Sequence, residues 1–132
     1  MPLCAYLIQA INSHQHDASY INDNTIILFD DGNGRHRKDR QAQSRGQELT
    51  LNEQTMRATL VVNVELGSYS HAWGSAQVLP NGNLVFDLGA TEQTIEVLPD
   101  SRKTYVLNMH MPGEQYRSYM YATLYGKPAH SS

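Results

Sequence analysis

Residues 14–35 read His14-Gln-His-Asp-Ala-Ser-Tyr-Ile-Asn-Asp-Asn-Thr-Ile-Ile-Leu-Phe-Asp-Asp-Gly-Asn-Gly-Arg35, and this stretch decides the fold. It contains two short runs suited to strands, separated by a turn at Asn22-Asp-Asn24. Within the run Thr25–Asp30, residues Ile26–Phe29 are apolar on both faces, which is typical of a strand that is covered on each side. Such a hairpin would carry the histidines at its start and Arg35 at its end toward one site.

The same hairpin occurs a second time in the chain. Residues 18–32 align with Ala76-Gln-Val-Leu-Pro-Asn-Gly-Asn-Leu-Val-Phe-Asp-Leu-Gly89, with a slip of one residue at the turn. A further match relates 48–52 and 59–64 to 96–100 and 104–108. Units of about four strands that repeat at roughly 40 to 60 residues indicate the blades of a β-propeller.

Short apolar runs rich in β-branched and aromatic residues, separated by Asn, Asp, Gly and Pro, predict an all-β chain. The predicted strands are Ala5–Ala10, Ala18–Ile21, Thr25–Asp30, Gly46–Leu51, Ala58–Leu66, Ser75–Leu79, Asn83–Asp87, Gln93–Leu98, Thr104–His110 and Tyr116–Leu124. The residues Leu60, Val62, Val64 and Leu66 alternate with polar or solvent-facing neighbours, as in a half-buried outer strand.

We predict a partial β-propeller domain over residues 1–132, with blade-like four-stranded antiparallel units at 17–66 and 75–110 and flanking strands at 5–10 and 116–124. The polar connection 36–45 is predicted to be a loop on one face of the ring. Because two blades do not close a ring, we expect missing blades or self-association to complete the fold.

The composition of the chain argues against some classes of binding partner. The chain has 132 residues, the size of one domain, and a formal net charge of −3, which gives no reason to expect nucleic acid or an anionic membrane. No apolar run approaches the length of a membrane span. Cys4 is the single cysteine, so no internal disulfide is expected, and residues 1–8 do not resemble a signal peptide.

The pair His14 and His16 allows three interpretations. In an extended segment the two side chains would share a face, with Asp17 pointing away. A metal site needs a third ligand, and the other histidines lack the spacing to supply it, so no metal and no cofactor are predicted. The pair could instead be structural, hydrogen-bonded to the backbone, or it could belong to an anion-binding or catalytic site.

Arg35 follows the turn Asp31-Gly-Asn-Gly34, where glycines permit close backbone approach. A guanidinium at that position can hold an oxyanion by two parallel hydrogen bonds. The alternative is that the basic cluster 35–40 is a solvated loop. Arg45, just before a strand, would by the same reasoning be a surface arginine.

Several of these segments, taken in order, resemble one family. His16-Asp-Ala18, residues 24–35, Ser44-Arg-Gly46, residues 74–83 and Tyr116-Arg-Ser-Tyr119 are similar to the C-terminal part of arylsulfotransferases of the bacterial, PAPS-independent type. The resemblance covers residues 14–125. It implies a six-bladed propeller, a periplasmic or extracellular location, and transfer of a sulfuryl group from a phenolic sulfate ester to another phenol through a sulfated histidine.

The resemblance also implies roles for individual residues. His16 and Arg35 match family positions expected to be catalytic oxyanion contacts, and His14, Arg45 and Arg117 are the expected substrate-binding residues. The substrates would be an aryl sulfate donor and a phenolic acceptor.

One departure from the family concerns the residue that carries the sulfuryl group. The family's sulfated histidine lies near the second hairpin, where residues 84–94 contain none. We therefore expect a fragment or truncated member that lacks this nucleophile. The alternatives are a non-catalytic propeller module that binds a small anionic or aromatic ligand or a protein partner, and a degenerate product with exposed edge strands.

Overall fold

Eight strands and one short helix form the part of the chain that the computed structural model describes, residues 12–110 and 113–122. In chain order the elements are β1 (Gln15–Asn22), β2 (Thr25–Asp30), α1 (Asn33–Lys38), β3 (Arg45–Asn52), β4 (Arg57–Glu65), β5 (Ser75–Val78), β6 (Leu84–Leu88), β7 (Gln93–Val97) and β8 (Lys103–Asn108). A single 3-10 turn, Gly89–Thr91, separates β6 from β7. None of the helices among these residues is long and apolar enough to cross a membrane.

The strands form two antiparallel meanders of four strands each, in the orders β1-β2-β3-β4 and β5-β6-β7-β8. Three of the hairpins turn in the same way, because an Asn or Asp side chain accepts a hydrogen bond from the backbone N–H two residues later. The acceptors are Asn22, Asn81 and Asp100. The prediction of an all-β fold built from two four-stranded units is confirmed, and the two meanders are consistent with propeller blades.

The core lies between the two sheets, and the repeated Phe-Asp pair is its centre. Phe29 and Phe86 are completely buried in one apolar cluster with side chains of both sheets. Each ring packs against a glycine of the other half. A Cβ atom at Gly46 would collide with the ring of Phe86, and one at Gly74 would lie 2.5 Å from the ring of Phe29. The sheets therefore approach closely where glycine leaves room for an aromatic ring.

The burial pattern of β2 and β4 agrees with the sequence prediction. In β4, Val62 and Val64 are buried while their neighbours face solvent. Ile27, Leu28 and Phe29 of β2 are all buried, so this strand is covered on both faces.

The predicted loop at 36–45 is wrong in its first part, because α1 occupies Asn33–Lys38. Gly32 has a φ of 76°, a conformation that glycine adopts readily, and this turns the chain from β2 into the helix. The ring of His36 stacks on Tyr69 with centroids 3.6 Å apart. The polar segment is thus anchored by side chains rather than solvated throughout.

The predicted strand Tyr116–Leu124 is not formed over 116–122, and its last two positions lie outside the described residues. This segment runs beside β5, but it is held by hydrogen bonds between side chains of β5 and its backbone and not by the pairing of two strands. The predicted strand Ala5–Ala10 also lies outside the described residues. The division at 17–66 and 75–110 and the number of blades in the ring stay predictions.

Candidate functional site

A row of polar residues crosses one end of the first sheet. Gln15 of β1 pairs with Asp30 of β2, Asp30 pairs with Arg45 of β3, and Arg45 pairs with Glu65 of β4. This row crosses the whole sheet. His16 is next to it on β1, so strand register alone brings residues far apart in sequence to one edge.

His16 is held by the buried carboxyl group of Asp31. Its Nε2 lies 3.1 Å from Asp31 Oδ2, and the Asp31 side chain is only 1% exposed. Burial, and secondarily the nearby Asp30, raises the pKa of Asp31 to about 8. Burial lowers the pKa of His16, with further contributions from Arg117 and His14, against a smaller opposing effect of Asp17. Both shifts favour the neutral forms of the two groups, and in those forms the hydrogen bond runs from the Asp31 hydroxyl to His16 Nε2.

The adjacent Asp30 is held in a different way. Its Oδ1 accepts hydrogen bonds from the backbone N–H groups of Ser13 and Gly32, at 2.8 and 3.1 Å. Its Oδ2 lies 2.5 Å from Nη1 of Arg35, whose Nη2 donates to the carbonyl oxygen of Gln43. The two neighbouring carboxyl groups thus have different kinds of partner. Asp30 is paired with a guanidinium group, whereas Asp31 is paired with an imidazole ring.

A bulge in β1 corrects the expectation that Asp17 points away from the site. Asp17 has a φ of 52°, and the register with β2 shifts between His16 and Ser19. A bulge re-aims the side chains around it, and bulges are common beside active sites. His14 also has a positive φ, 62°, and precedes β1, so it is not part of the extended segment that the prediction assumed.

Asp17 joins β1 to the second sheet and to the C-terminal segment, residues 113–122. Its Oδ2 accepts hydrogen bonds from the backbone N–H of Ala76 at 3.1 Å and from the hydroxyl group of Tyr119 at 2.9 Å. Its Oδ1 lies 3.2 Å from Nη1 of Arg117. Arg117 in turn stacks over the ring of Tyr116, 5.1 Å from its centroid.

Side chains of β5 fix the C-terminal segment. The amide group of Gln77 donates to the carbonyl oxygen of Met120 and accepts from its N–H, both at 2.8 Å. The hydroxyl of Ser75 donates to the carbonyl oxygen of Ser118 at 2.6 Å and accepts from the N–H of the same residue at 3.3 Å. This ladder of side chains places Arg117 and Tyr119 at the bulge of β1.

Replacing Gln77 with alanine is expected to speed tryptic cleavage after Arg117 by about tenfold to thirtyfold, because two hydrogen bonds of about 1 kcal/mol each are lost. Cleavage of a transiently opened segment follows the population of its open form. The rate is measured by mass spectrometry of a timed digest. Gln54→Ala, at the exposed β3–β4 turn, is the control, and equal rates in the two variants would contradict the role of the ladder.

The second sheet also contains a buried carboxyl group. Asp87, the counterpart of Asp30 in the repeat, is completely buried, and burial raises its pKa to about 6 against the effect of hydrogen bonds from Ser118 and Thr94. The hydroxyl of Thr94 lies 3.3 Å from Asp87 Oδ1 and 2.7 Å from the hydroxyl of Ser118. The C-terminal segment is thereby connected to the core of the second sheet.

An open cleft of about 590 Å³ lies between β1 and β5. Asp17 and Tyr119 are at its polar side, and apolar side chains of both strands, among them Ile21 and Val78, line the rest. Tyr20 also lines the cleft and is 64% exposed. The cleft has room for an aromatic ring beside a carboxylate.

The predicted site residues are found in different surroundings. Arg117 contacts Asp17 at the bulge next to His16, and both Arg117 and His14 help to lower the pKa of His16. His14 Nδ1 lies 3.0 Å from the hydroxyl of Ser13. Arg35 is in the ion pair with Asp30, and Arg45 lies 3.6 Å from Glu65. Three further side chains belong to this site and were not predicted from the sequence: Asp17, Asp31 and Tyr119.

Comparison of the two copies of the repeated hairpin draws attention to Asp31, which was not predicted as a site residue. Where the first copy has Asp31, the second copy has Leu88, although the flanking Phe-Asp and Gly residues agree. A carboxyl group that replaces a buried apolar residue of the scaffold indicates a local function. Among the described residues, no three His, Cys, Asp or Glu side chains cluster as a metal site would require.

Comparison with known proteins agrees with the resemblance seen in the sequence. No curated protein and no solved structure gives a match. The family model Arylsulfotransferase (ASST) matches residues 9–121, most of the chain and all eight strands. The chain therefore belongs to the arylsulfotransferase (ASST) family.

Proposed function

We propose that this protein binds an aryl sulfate donor and a phenolic acceptor at the bulge of β1, in support of sulfuryl transfer between them. Membership of the family supports an arylsulfotransferase-like function in general. The observation that supports this location is that Arg117 contacts Asp17, the neighbour of His16 in the chain, while His16 itself is held by the buried carboxyl group of Asp31. Both side chains are donors suited to a sulfuryl group.

The chemistry of the transfer explains why such donors are needed. Negative charge spreads over the equatorial oxygens of the sulfuryl group as it moves, by analogy with phosphoryl transfer. Hydrogen-bond donors that are already in position stabilise this charge. In the proposal, His16 and Arg117 contact the sulfuryl oxygens, and Asp31 fixes the orientation of the His16 ring.

The other predicted residues have less direct roles in the proposal. We assign Arg35 a positioning role, because its ion pair with Asp30 supports the turn that presents Asp31 to His16. Arg45 belongs to the same row of the sheet and supports the edge from the β3 side. His14 is exposed and precedes β1, and we assign it a contact at the edge of the substrate-binding site.

No residue of this chain is assigned as the covalent carrier of the sulfuryl group. We propose that residues 1–132 form a partial propeller, with blade-like units at 17–66 and 75–110, and that further blades or further copies complete the ring. The two meander sheets packed on a common core support this arrangement. A mass well above that of the monomer in light scattering after gel filtration is expected for an assembly of copies.

Replacing His16 with alanine is expected to lower the rate of sulfuryl transfer from 4-nitrophenyl sulfate to phenol by about 100-fold to 1,000-fold, the usual effect of removing one oxyanion donor. Release of 4-nitrophenol is followed by absorbance, and the sulfated phenol by mass spectrometry. His14→Ala is the matched control and is expected to change the rate less than tenfold, because the exposed His14 takes no part in the hydrogen bond between His16 and the buried Asp31. An unchanged rate in His16→Ala would refute this site.

A second candidate is a non-catalytic module that binds an anionic aromatic ligand. The observation in its favour is that the exposed rings of Tyr20 and Tyr119 line the cleft together with Asp17, which contacts Arg117. Binding of 4-nitrophenyl sulfate without release of 4-nitrophenol would favour this candidate. Turnover that depends on His16 would exclude it.

A further inference from the structure

The protein holds one of its own phenols against a carboxylate beside the cleft. The hydroxyl group of Tyr119 donates to Asp17 Oδ2 at 2.9 Å, although 102 positions separate the two residues. This contact has the chemistry that would recognise a phenolic acceptor, an aromatic hydroxyl group donating to an ionised carboxylate. Hydrogen bonds to charged acceptors are among the stronger ones in proteins.

Asp17 is placed for such a contact by three independent constraints. The bulge of β1 turns its side chain out of the strand register, the N–H of Ala76 anchors Oδ2, and Arg117 anchors Oδ1. Its side chain is 15% exposed, so it is largely withdrawn from solvent but reachable from the cleft. A preorganised acceptor of this kind costs little ordering on binding.

The cleft offers space for an aromatic ring next to this carboxylate. Its volume of about 590 Å³ and its wall of Tyr20, Ile21 and Val78 suit a single substituted ring. Tyr119 is 39% exposed, and the ladder from β5 holds its neighbours Ser118 and Met120 by their backbones. The Tyr119 side chain can therefore move away while the segment stays bound.

We propose that Asp17 binds the hydroxyl group of the phenolic acceptor and that Tyr119 occupies this position until an acceptor displaces it. The substrate class rests on the proposed function, but the contact itself does not. Arg117 then contacts both Asp17 and the sulfuryl group, so that acceptor and donor meet at one guanidinium. Tyr119 is a competing internal ligand, and its hydroxyl group sets how tightly an acceptor binds.

The test is a titration of the protein with 4-methylphenol, followed by isothermal calorimetry, with toluene as a probe that lacks the hydroxyl group. Asp17→Asn is expected to weaken binding of 4-methylphenol by about fivefold to tenfold, because a charged acceptor is replaced by a neutral one. Tyr119→Phe is expected to tighten binding by about threefold to fivefold, because it removes the competing hydroxyl group. Toluene binding is expected to be the same in both variants.

The tightening in Tyr119→Phe is the result that a merely structural contact would not produce. Ser19→Ala, which alters another residue lining the cleft, is the control and is expected to bind 4-methylphenol like the unmodified protein. Unchanged binding in Asp17→Asn, or weakened binding in Tyr119→Phe, would overturn the proposal. Transfer activity that is lost in His16→Ala, but has the same KM for the phenolic acceptor in Asp17→Asn as in the unmodified protein, would also overturn it, while the proposed function would stand.

Discussion

Replacing Asp31 with asparagine is expected to stabilise the protein, by an amount that grows with pH. Asp31 is buried, its Oδ1 has no hydrogen-bond partner among the described residues, and its pKa is raised to about 8. An amide group has the same shape as a neutral carboxyl group and can donate to His16 in its place. It cannot ionise, so it avoids the cost of keeping a buried proton that the unfolded chain would release.

The sign follows from proton binding. Above the ordinary pKa of 3.8 the unfolded chain loses the Asp31 proton, whereas the folded protein keeps it until about pH 8. The folded state then binds more protons, so the free energy of unfolding contributed by Asp31 falls as pH rises through this window. The advantage of Asp31→Asn is expected to grow by about 1.4 kcal/mol per pH unit between pH 5 and pH 7, and to level off above pH 8.

Urea unfolding at several values of pH measures this difference. Asp30→Asn is the matched control, because it changes the neighbouring carboxyl group in the same way. It removes the partner of a partly buried guanidinium and is expected to destabilise the protein by about 3–5 kcal/mol. A difference for Asp31→Asn that does not change between pH 5 and pH 7, or a destabilisation that shrinks as pH rises above the ordinary pKa of histidine, would show that Asp31 is ionised as the partner of a charged His16.

Replacing Phe86 with alanine is expected to destabilise the protein by about 3–5 kcal/mol, the usual cost of deleting a large buried aromatic side chain. Its ring is completely buried and fills the space that Gly46 leaves on the facing sheet. The deletion therefore opens a cavity between the sheets rather than at the surface. The free energy of unfolding from urea titration measures the loss.

Two further variants test whether packing of the Phe86 ring between the sheets causes this loss of stability. Gly46→Ala is expected to cost about 1–3 kcal/mol, because the added methyl group forces the Phe86 ring to shift in a packed core. Val61→Ala on the exposed face of β4 is the control and is expected to cost less than about 1 kcal/mol. A Phe86→Ala variant as stable as Val61→Ala would mean that the sheets do not pack on this ring.

Much of the fold could be predicted from the sequence, because its signals are local. The alternation in β4, the doubly buried run of β2 and the Asn and Asp turns each depend on a few neighbouring residues. The repeat of the Phe-Asp hairpin indicated two equivalent sheets. Helix α1 was missed because Gly32 and the side chains of Arg35 and His36 stabilise it, and no apolar period marks it in the sequence.

The site could be predicted only in part. The sequence selected His16 and Arg117, and the structure places Arg117 against Asp17, the neighbour of His16. It also selected Arg35, which the structure pairs with Asp30. It could not show that Asp17 turns toward the C-terminal segment, because a bulge depends on pairing with the neighbouring strand.

Local sequence patterns were enough to predict the eight strands of the described residues, their turns and the family of this protein, since periodicity and turn chemistry act over a few residues. Only the tertiary structure decided which side chains meet at the bulge and which carboxyl group keeps its proton. Asp17 and Tyr119 are joined across 102 positions, and Asp31 keeps its proton because packing excludes water from its side chain. Contacts over such distances, and burial itself, depend on how the two sheets and the C-terminal segment pack together.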